Sequence, residues 1–218
     1  MMSGAAFARD EPRQLRTTVY LIRHGAVVGS ETRRFIGHLD VPLSALGRRQ
    51  LAAVAARLSY VRLAAVYSSD LGRARESAAI VAAPHRLPPA AVPALREFAM
   101  GDWEGLTGEE IEARDAPGYR AWMSDVGRFQ FPRGENLDQV AARAWPAFAR
   151  IAARHAGTSV AVIAHGGSNR AILCRALGIP LGRILALGQD YAALSVLAGA
   201  RDRWALRLLN QAEPAAPP

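Results

Sequence analysis

Two short apolar runs, far apart in the chain, each end on a histidine followed by glycine. Thr18-Val19-Tyr20-Leu21-Ile22 runs into Arg23-His24-Gly25, and Val160-Ala161-Val162-Ile163-Ala164 runs into His165-Gly166-Gly167. Apolar runs of this length, bounded by turn residues, read as buried strands. In an open α/β sheet ligands sit beyond the carboxyl ends of the strands. Both imidazoles, and the guanidinium of Arg23, are therefore expected at one edge of one sheet. A lone buried histidine is more often a core residue than a ligand. Two at matching positions, one of them beside an arginine, point to a site.

The remaining segments repeat a strand–turn–helix rhythm. Ser44 reads as the N-cap of a helix that places Leu51, Ala55 and Leu58 on one face. Leu63 to Ser68 reads as a second strand, followed by Ser69-Asp70 and a helix over Leu71 to Ala83. A short strand is expected near Val92 to Arg96, after a proline-rich connection. Gly101 to Pro132 reads as a helical excursion over the sheet, with helices near Gly108 to Arg114 and Pro117 to Val126. A longer helix from about Asn136 to His155 carries Pro146, so a kink is expected there. Strand Ser159 to Ala164 leads to helix Ser168 to Leu177, and Ala192 to Leu197 with Trp204 to Leu209 alternate like a hairpin. The pattern implies an α/β fold: a single domain over 17–211, with a mostly parallel central sheet covered by helices on both faces. Met1 to Arg16 reads as a loose leader and Ala212 to Pro218 as a disordered tail.

Composition narrows the chemistry. The 218 residues include 27 basic and 19 acidic ones, for a formal charge of +8, and every basic residue is arginine. With no lysine, Schiff-base catalysis and a P-loop phosphate site are excluded. The excess of arginine and alanine fits the codon usage of a GC-rich genome. The positive field also suits anionic small molecules, and phosphate in particular suits the planar guanidinium. The arginines are scattered and no basic patch is interleaved with aromatics, so nucleic acid is not expected as a partner. Cys174 is the single cysteine and reads as a small core residue, which excludes an internal disulfide and a cysteine-based metal cluster. No apolar run is long enough to span a membrane and the N-terminus lacks the apolar core of a signal peptide, so the cytoplasm is the expected compartment.

Four strand ends then bring together Arg23 and His24, Arg73 on the first turn of the helix after Asp70, Glu97, and His165. Two guanidiniums, two imidazoles and a carboxyl make a pocket for a dianion with a nucleophile and an acid. Phosphoryl transfer asks mainly for positioning and charge stabilisation. The acidic residues are not spaced as metal ligands, so arginine must supply that charge, and neither a metal nor a cofactor is expected. A histidine nucleophile divides the displacement into two steps.

With these residues in place, the chain resembles the histidine phosphatase superfamily, also called phosphoglycerate mutase-like, over roughly Thr17 to Leu197. The motifs follow the family's order: Leu21-Ile22-Arg23-His24-Gly25; Arg34-Phe35-Ile36-Gly37 with Asp40-Val41-Pro42-Leu43-Ser44 and Gly47; Ser68-Ser69-Asp70-Leu71 with Arg73-Ala74; Leu95-Arg96-Glu97 with Gly101-Asp102-Trp103-Glu104-Gly105; Gly134-Glu135; and Ala164-His165-Gly166-Gly167. The resemblance implies that His24 is the phosphorylated nucleophile, that Arg23, Arg73 and His165 bind phosphoryl oxygens, and that Glu97 is the proton donor and later the base. It also implies a cationic His165 beside the phosphate.

The chain departs from the family after His24-Gly25, where Ala26 and Val27 replace an acidic residue and a Ser or Thr. Ser30 stands where many members carry a phosphate-binding asparagine, and its hydroxyl is the candidate replacement. The features are similar to the phosphatase branch and imply a metal-independent hydrolase of a small phosphorylated metabolite, α-ribazole 5'-phosphate or a sugar phosphate among them. The alternatives are a phosphoglycerate mutase and, from another class, a non-catalytic module binding a phosphate ligand or nucleic acid. Trp103 between Gly101 and Gly105 reads as a packing corner, Gly134-Glu135 as a helix start, and His38 equally as pocket mouth or exposed loop. Tyr191, in Gln189-Asp190-Tyr191, is equally balanced between touching substrate and not. Quaternary state is left open, a homodimer included.

Overall fold

The computed structural model describes residues 16–201 and 203–212. Apart from Arg16 and Ala212, the expected leader and tail lie outside the described residues. Six strands form one sheet in the order β3-β2-β4-β1-β5-β6. They are β1 (Thr17–Arg23), β2 (Leu63–Ser68), β3 (Ala90–Ala91), β4 (Ser159–Ala164), β5 (Leu194–Ala200) and β6 (Arg203–Gln211). β1, β2, β3 and β4 are mutually parallel where they pair, while β5 and β6 close one side as an antiparallel hairpin.

Period-two alternation divides the core into two layers. Val19 and Leu21 of β1, with Val160, Val162 and Ala164 of β4, face one cluster. Ile22, Ala161 and Ile163 face the other. The first is covered by α5 (Leu137–Arg154) and α6 (Gly166–Leu177), and the second by α1 (Ala45–Leu58) and α2 (Gly72–Ala82). β4 is buried on both faces, and on the second face of β1 Thr18 and Tyr20 are half-buried beside buried Ile22, which is why those strands read as continuous apolar runs. Truncating a fully buried side chain such as Leu21 to alanine should cost about 2–5 kcal/mol.

Local signals explain most element ends. Ser44 Oγ accepts the Gly47 N–H at 3.0 Å and caps α1. Gly25 and Gly47 allow the loop after β1 and the start of α1 to touch backbone to backbone: a Cβ on Gly25 would stand 2.5 Å from the Gly47 carbonyl oxygen. The excursion holds the two expected helices, α3 (Gly108–Arg114) and α4 (Ala116–Ser124). α5 is one helix through Pro146, which lies on its exposed side. The strand expected over Val92 to Arg96 is instead the two-residue β3 followed by a 3-10 turn, Pro93–Leu95. Pro93 has no N–H to donate to the ladder, so pairing ends there. Among the described residues, no helix is long and apolar enough to cross a membrane.

Candidate active site

Strand register assembles the site. Arg23 is paired with Ala164 across β1 and β4, so the next residue on each strand is a histidine. The rings of His24 and His165 stand 5.0 Å apart between centroids. Ser68 of β2 pairs with Ile163, which puts Ser69 beside the same edge, and its Oγ shares a 2.6 Å hydrogen bond with His165 Nε2. α2 starts right after this strand end and delivers Arg73. His165 is itself the N-cap of α6, which begins at Gly166 rather than Ser168.

The hydrogen bonds fix the tautomer of His24. Its Nδ1–H donates to the Gly25 carbonyl at 2.8 Å, leaving Nε2 with its lone pair, and Arg73 Nε–H points at that atom from 3.3 Å. Burial, and then the charges of Arg23 and Arg73, hold the imidazole's pKa well below the ordinary 6.5. The His24 imidazole is therefore neutral at neutral pH. His165 is fully buried and is also held well below 6.5, first by burial and then by His24, Arg73 and Arg23. Without a bound anion the protein surroundings favour the neutral ring, and a phosphate dianion beside it would act in the opposite direction.

The guanidiniums are anchored from behind. Arg73, 1% exposed, donates to the carbonyls of Leu39 and Gly37, each at 2.7 Å. Arg23 donates Nη1–H to the Gln189 carbonyl at 2.6 Å and lies 3.9 Å over the Tyr191 ring. Among the described residues, Arg23 Nε and His165 Nδ1 are buried without a hydrogen-bond partner. An unmet buried polar atom costs about 1–3 kcal/mol, so two beside His24 mark a place suited to an oxygen-rich ligand.

Glu97 lies on the wall of the same cavity, about 300 Å3 in volume, as His24, Arg23 and Arg73. Its carboxylate accepts the N–H of Gly167 at 2.9 Å and of Ser168 at 3.2 Å, at the start of α6. Gly167 matters here because a Cβ would run into both Glu97 and Phe98. Two ion pairs hold the Glu97 loop. Arg96 grips Asp70 with two hydrogen bonds, and Arg143 grips Glu135 with two of 2.7 Å. Arg143 also donates to the carbonyls of Ala94, Arg96 and Glu97, while Glu135 accepts the Ala99 N–H. His38 Nε2–H adds a 2.7 Å bond to the Glu97 carbonyl.

Of the residues singled out in the sequence, Arg23, His24, Arg73, Glu97 and His165 come together. Ser30 does not join them. It begins a 3-10 turn between Gly29 and Arg33, both with left-handed backbone, and that turn brings Arg33, not Ser30, to the cavity lining. Trp103 is a packing corner, 3% exposed and edge-on to Phe35 and Phe131. Glu135 precedes α5 without capping it, since Asn136 does that, and serves as the partner of Arg143. Sequence reasoning missed Arg143, Arg33 and Trp122; Tyr191 lines the cavity. Among the described residues, no group of three or more His, Cys, Asp or Glu is placed to hold a metal ion.

Comparison with known proteins gives a consistent picture. A metal-independent phosphoserine phosphatase of Arabidopsis thaliana is 36% identical over 162 residues, covering 73% of this chain and 68% of the relative. The solved structure of Bacillus stearothermophilus YhfR matches with a TM-score of 0.85 at 30% identity, over 91% of this chain and 99% of that one. The mycobacterial glucosyl-3-phosphoglycerate phosphatase Rv2419c, solved with VO3, matches with a TM-score of 0.80 at 35% identity, over 88% and 98% of the two chains. The sequence profile of the histidine phosphatase superfamily (branch 1) matches residues 19–212, and the chain belongs to that family.

Proposed function

We propose that this chain is a metal-independent phosphomonoesterase that acts on a small phosphorylated metabolite through a phosphohistidine at His24. One observation carries the reading. His24 presents an unprotonated Nε2, with Nδ1–H tied to Gly25, into a cavity flanked by two anchored guanidiniums, a second imidazole and a carboxyl group.

In the first step Nε2 attacks phosphorus and an N–P bond forms as the ester P–O bond breaks. Arg23, Arg73 and His165 hold the non-bridging oxygens, a role in which preorganised donors act without reorganisation. Glu97 gives its proton to the departing alkoxide. In the second step the Glu97 carboxylate takes a proton from water, whose oxygen attacks phosphorus. Inorganic phosphate leaves and His24 returns neutral. The names of the relatives support phosphate-ester hydrolysis, and the cavity, at the small end of ligand pockets, supports a small substrate.

The test is turnover of a phosphate-ester panel in the presence of chelator, by wild type and His24→Ala. Activity that survives chelation and falls about 10⁴- to 10⁶-fold in the variant is expected. Activity that needs added metal, or that persists in His24→Ala, overturns the reading. Return of the phosphoryl group to another substrate hydroxyl would replace it with a mutase.

A further inference from the structure

We propose that the substrate carries a second anionic group, read by Arg33 on the cavity rim. The proposal rests on the phosphomonoesterase reading above and names the substrate class of that site.

The charges on the cavity wall are not balanced by a phosphate alone. Four arginines line it, with Glu97 as the one carboxylate among the described lining residues. Arg34 is already matched: its Nη1 donates to Glu110 Oε2 at 2.7 Å and to the Gly105 carbonyl at 2.6 Å. Arg23 and Arg73 flank the nucleophile and face the phosphoryl group. Arg33 differs from all three. Its side chain is exposed, and among the described residues it has neither a hydrogen-bond nor an ion-pair partner.

Its backbone is also held in an unusual place. Arg33 sits at φ 51° and ψ 37°, the left-handed region that side-chain-bearing residues seldom enter. The turn from Gly29 to Arg33 thus ends on an arginine that lines the same cavity as His24 and Glu97. Beside it, Ile36, Met100 and Trp122 give the wall an apolar stretch. When Glu97 carries the proton it must deliver, Arg23, Arg33 and Arg73 face a phosphate dianion, and one positive charge remains. A carboxylate, or a second phosphate, on the alcohol portion would meet it. A guanidinium suits either, since its paired N–H groups match both planar and tetrahedral oxyanions.

The test compares three esters of similar size: 3-phosphoglycerate, glycerol 3-phosphate and propane-1,3-diol bisphosphate. Wild type should favour an ester with the second anion over glycerol 3-phosphate in kcat/KM, mostly through KM. The better of the two anionic esters tells carboxylate from phosphate. Arg33→Ala should shrink that preference by about 5- to 30-fold, the range of a single charge-assisted contact in a partly open site. Arg33→Lys should keep part of it, which guards against a variant that merely loosens the loop. Equal kcat/KM for all three esters in wild type, or an unchanged preference in Arg33→Ala, overturns the second-anion proposal while His24-dependent turnover leaves the hydrolase reading standing. No turnover of these esters or of p-nitrophenyl phosphate overturns both.

Discussion

Arg73 Nε–H lies 3.3 Å from His24 Nε2, on the one nitrogen of that ring not already committed to the backbone. In the proposed reaction the cation that holds the phosphoryl group therefore also orients the atom that attacks it. Its other two nitrogens bridge the carbonyls of Gly37 and Leu39. Arg73→Ala should lower kcat by about 10²- to 10³-fold. Arg73→Lys should recover little, because an ammonium cannot span the same fork. Steady-state kinetics of the two variants against one ester check this, and full recovery by lysine would contradict it.

Glu97 should show its role through the leaving group. Loss of a general acid costs about 10²- to 10⁴-fold for an alkyl ester. An aryl ester expels a stable phenolate and needs less help. Glu97→Gln should therefore be far slower on glycerol 3-phosphate than on p-nitrophenyl phosphate, each relative to wild type. Equal losses on both esters would remove Glu97 from proton transfer.

Arg143 is placed as a positioning residue that acts through Glu97. Among the described residues it makes no hydrogen bond to His24, Arg23 or Arg73, yet it binds the Glu97 carbonyl, two further carbonyls of that loop and Glu135. Arg143→Met should lower kcat on alkyl esters by about 10-fold or more with little change in KM, since a small displacement of a catalytic group is enough for such a loss. The aryl ester should be spared, as in Glu97→Gln. A loss of the same size on both esters would show only general destabilisation.

The two buried histidines make stability depend on pH in a defined direction. Both have pKa values held well below 6.5 in the folded chain by burial and by arginine charge. As pH falls below 6.5 the unfolded chain takes up protons that the folded chain refuses, so stability declines. Above 6.5 neither state binds these protons and the contribution is flat. Melting temperature should therefore drop as pH is lowered from 6.5, and less steeply in His165→Asn. Imidazole NMR signals of His24 should not titrate near 6.5. A midpoint there for His24 would contradict its neutral, arginine-flanked setting.

The catalytic edge was legible because parallel strands with buried faces carry their own register. Once Leu21-Ile22 and Ile163-Ala164 are read as neighbouring strands, His24 and His165 must meet. Arg73 follows from a helix that starts directly after β2. Other features leave no local trace. Arg143 bonds a loop more than forty residues away through carbonyl oxygens, which have no residue identity to read. The place of Ser30 was not legible because position in a loop depends on backbone dihedrals, and left-handed residues at Gly29 and Arg33 flank its turn. The strand expected at Val92 to Arg96 failed on Pro93, where apolar pattern and hydrogen-bond capacity disagree.

The covalent intermediate gives the most direct test. Wild type should be mixed with a rapidly cleaved aryl phosphate, quenched in base within the first turnover, and mapped by peptide mass spectrometry. The account predicts a phosphoryl group on the peptide carrying His24, absent in His24→Ala and accumulating in proportion to the burst of released phenol. A phosphoryl group on any other side chain, or a full burst with His24 unmodified, would contradict it.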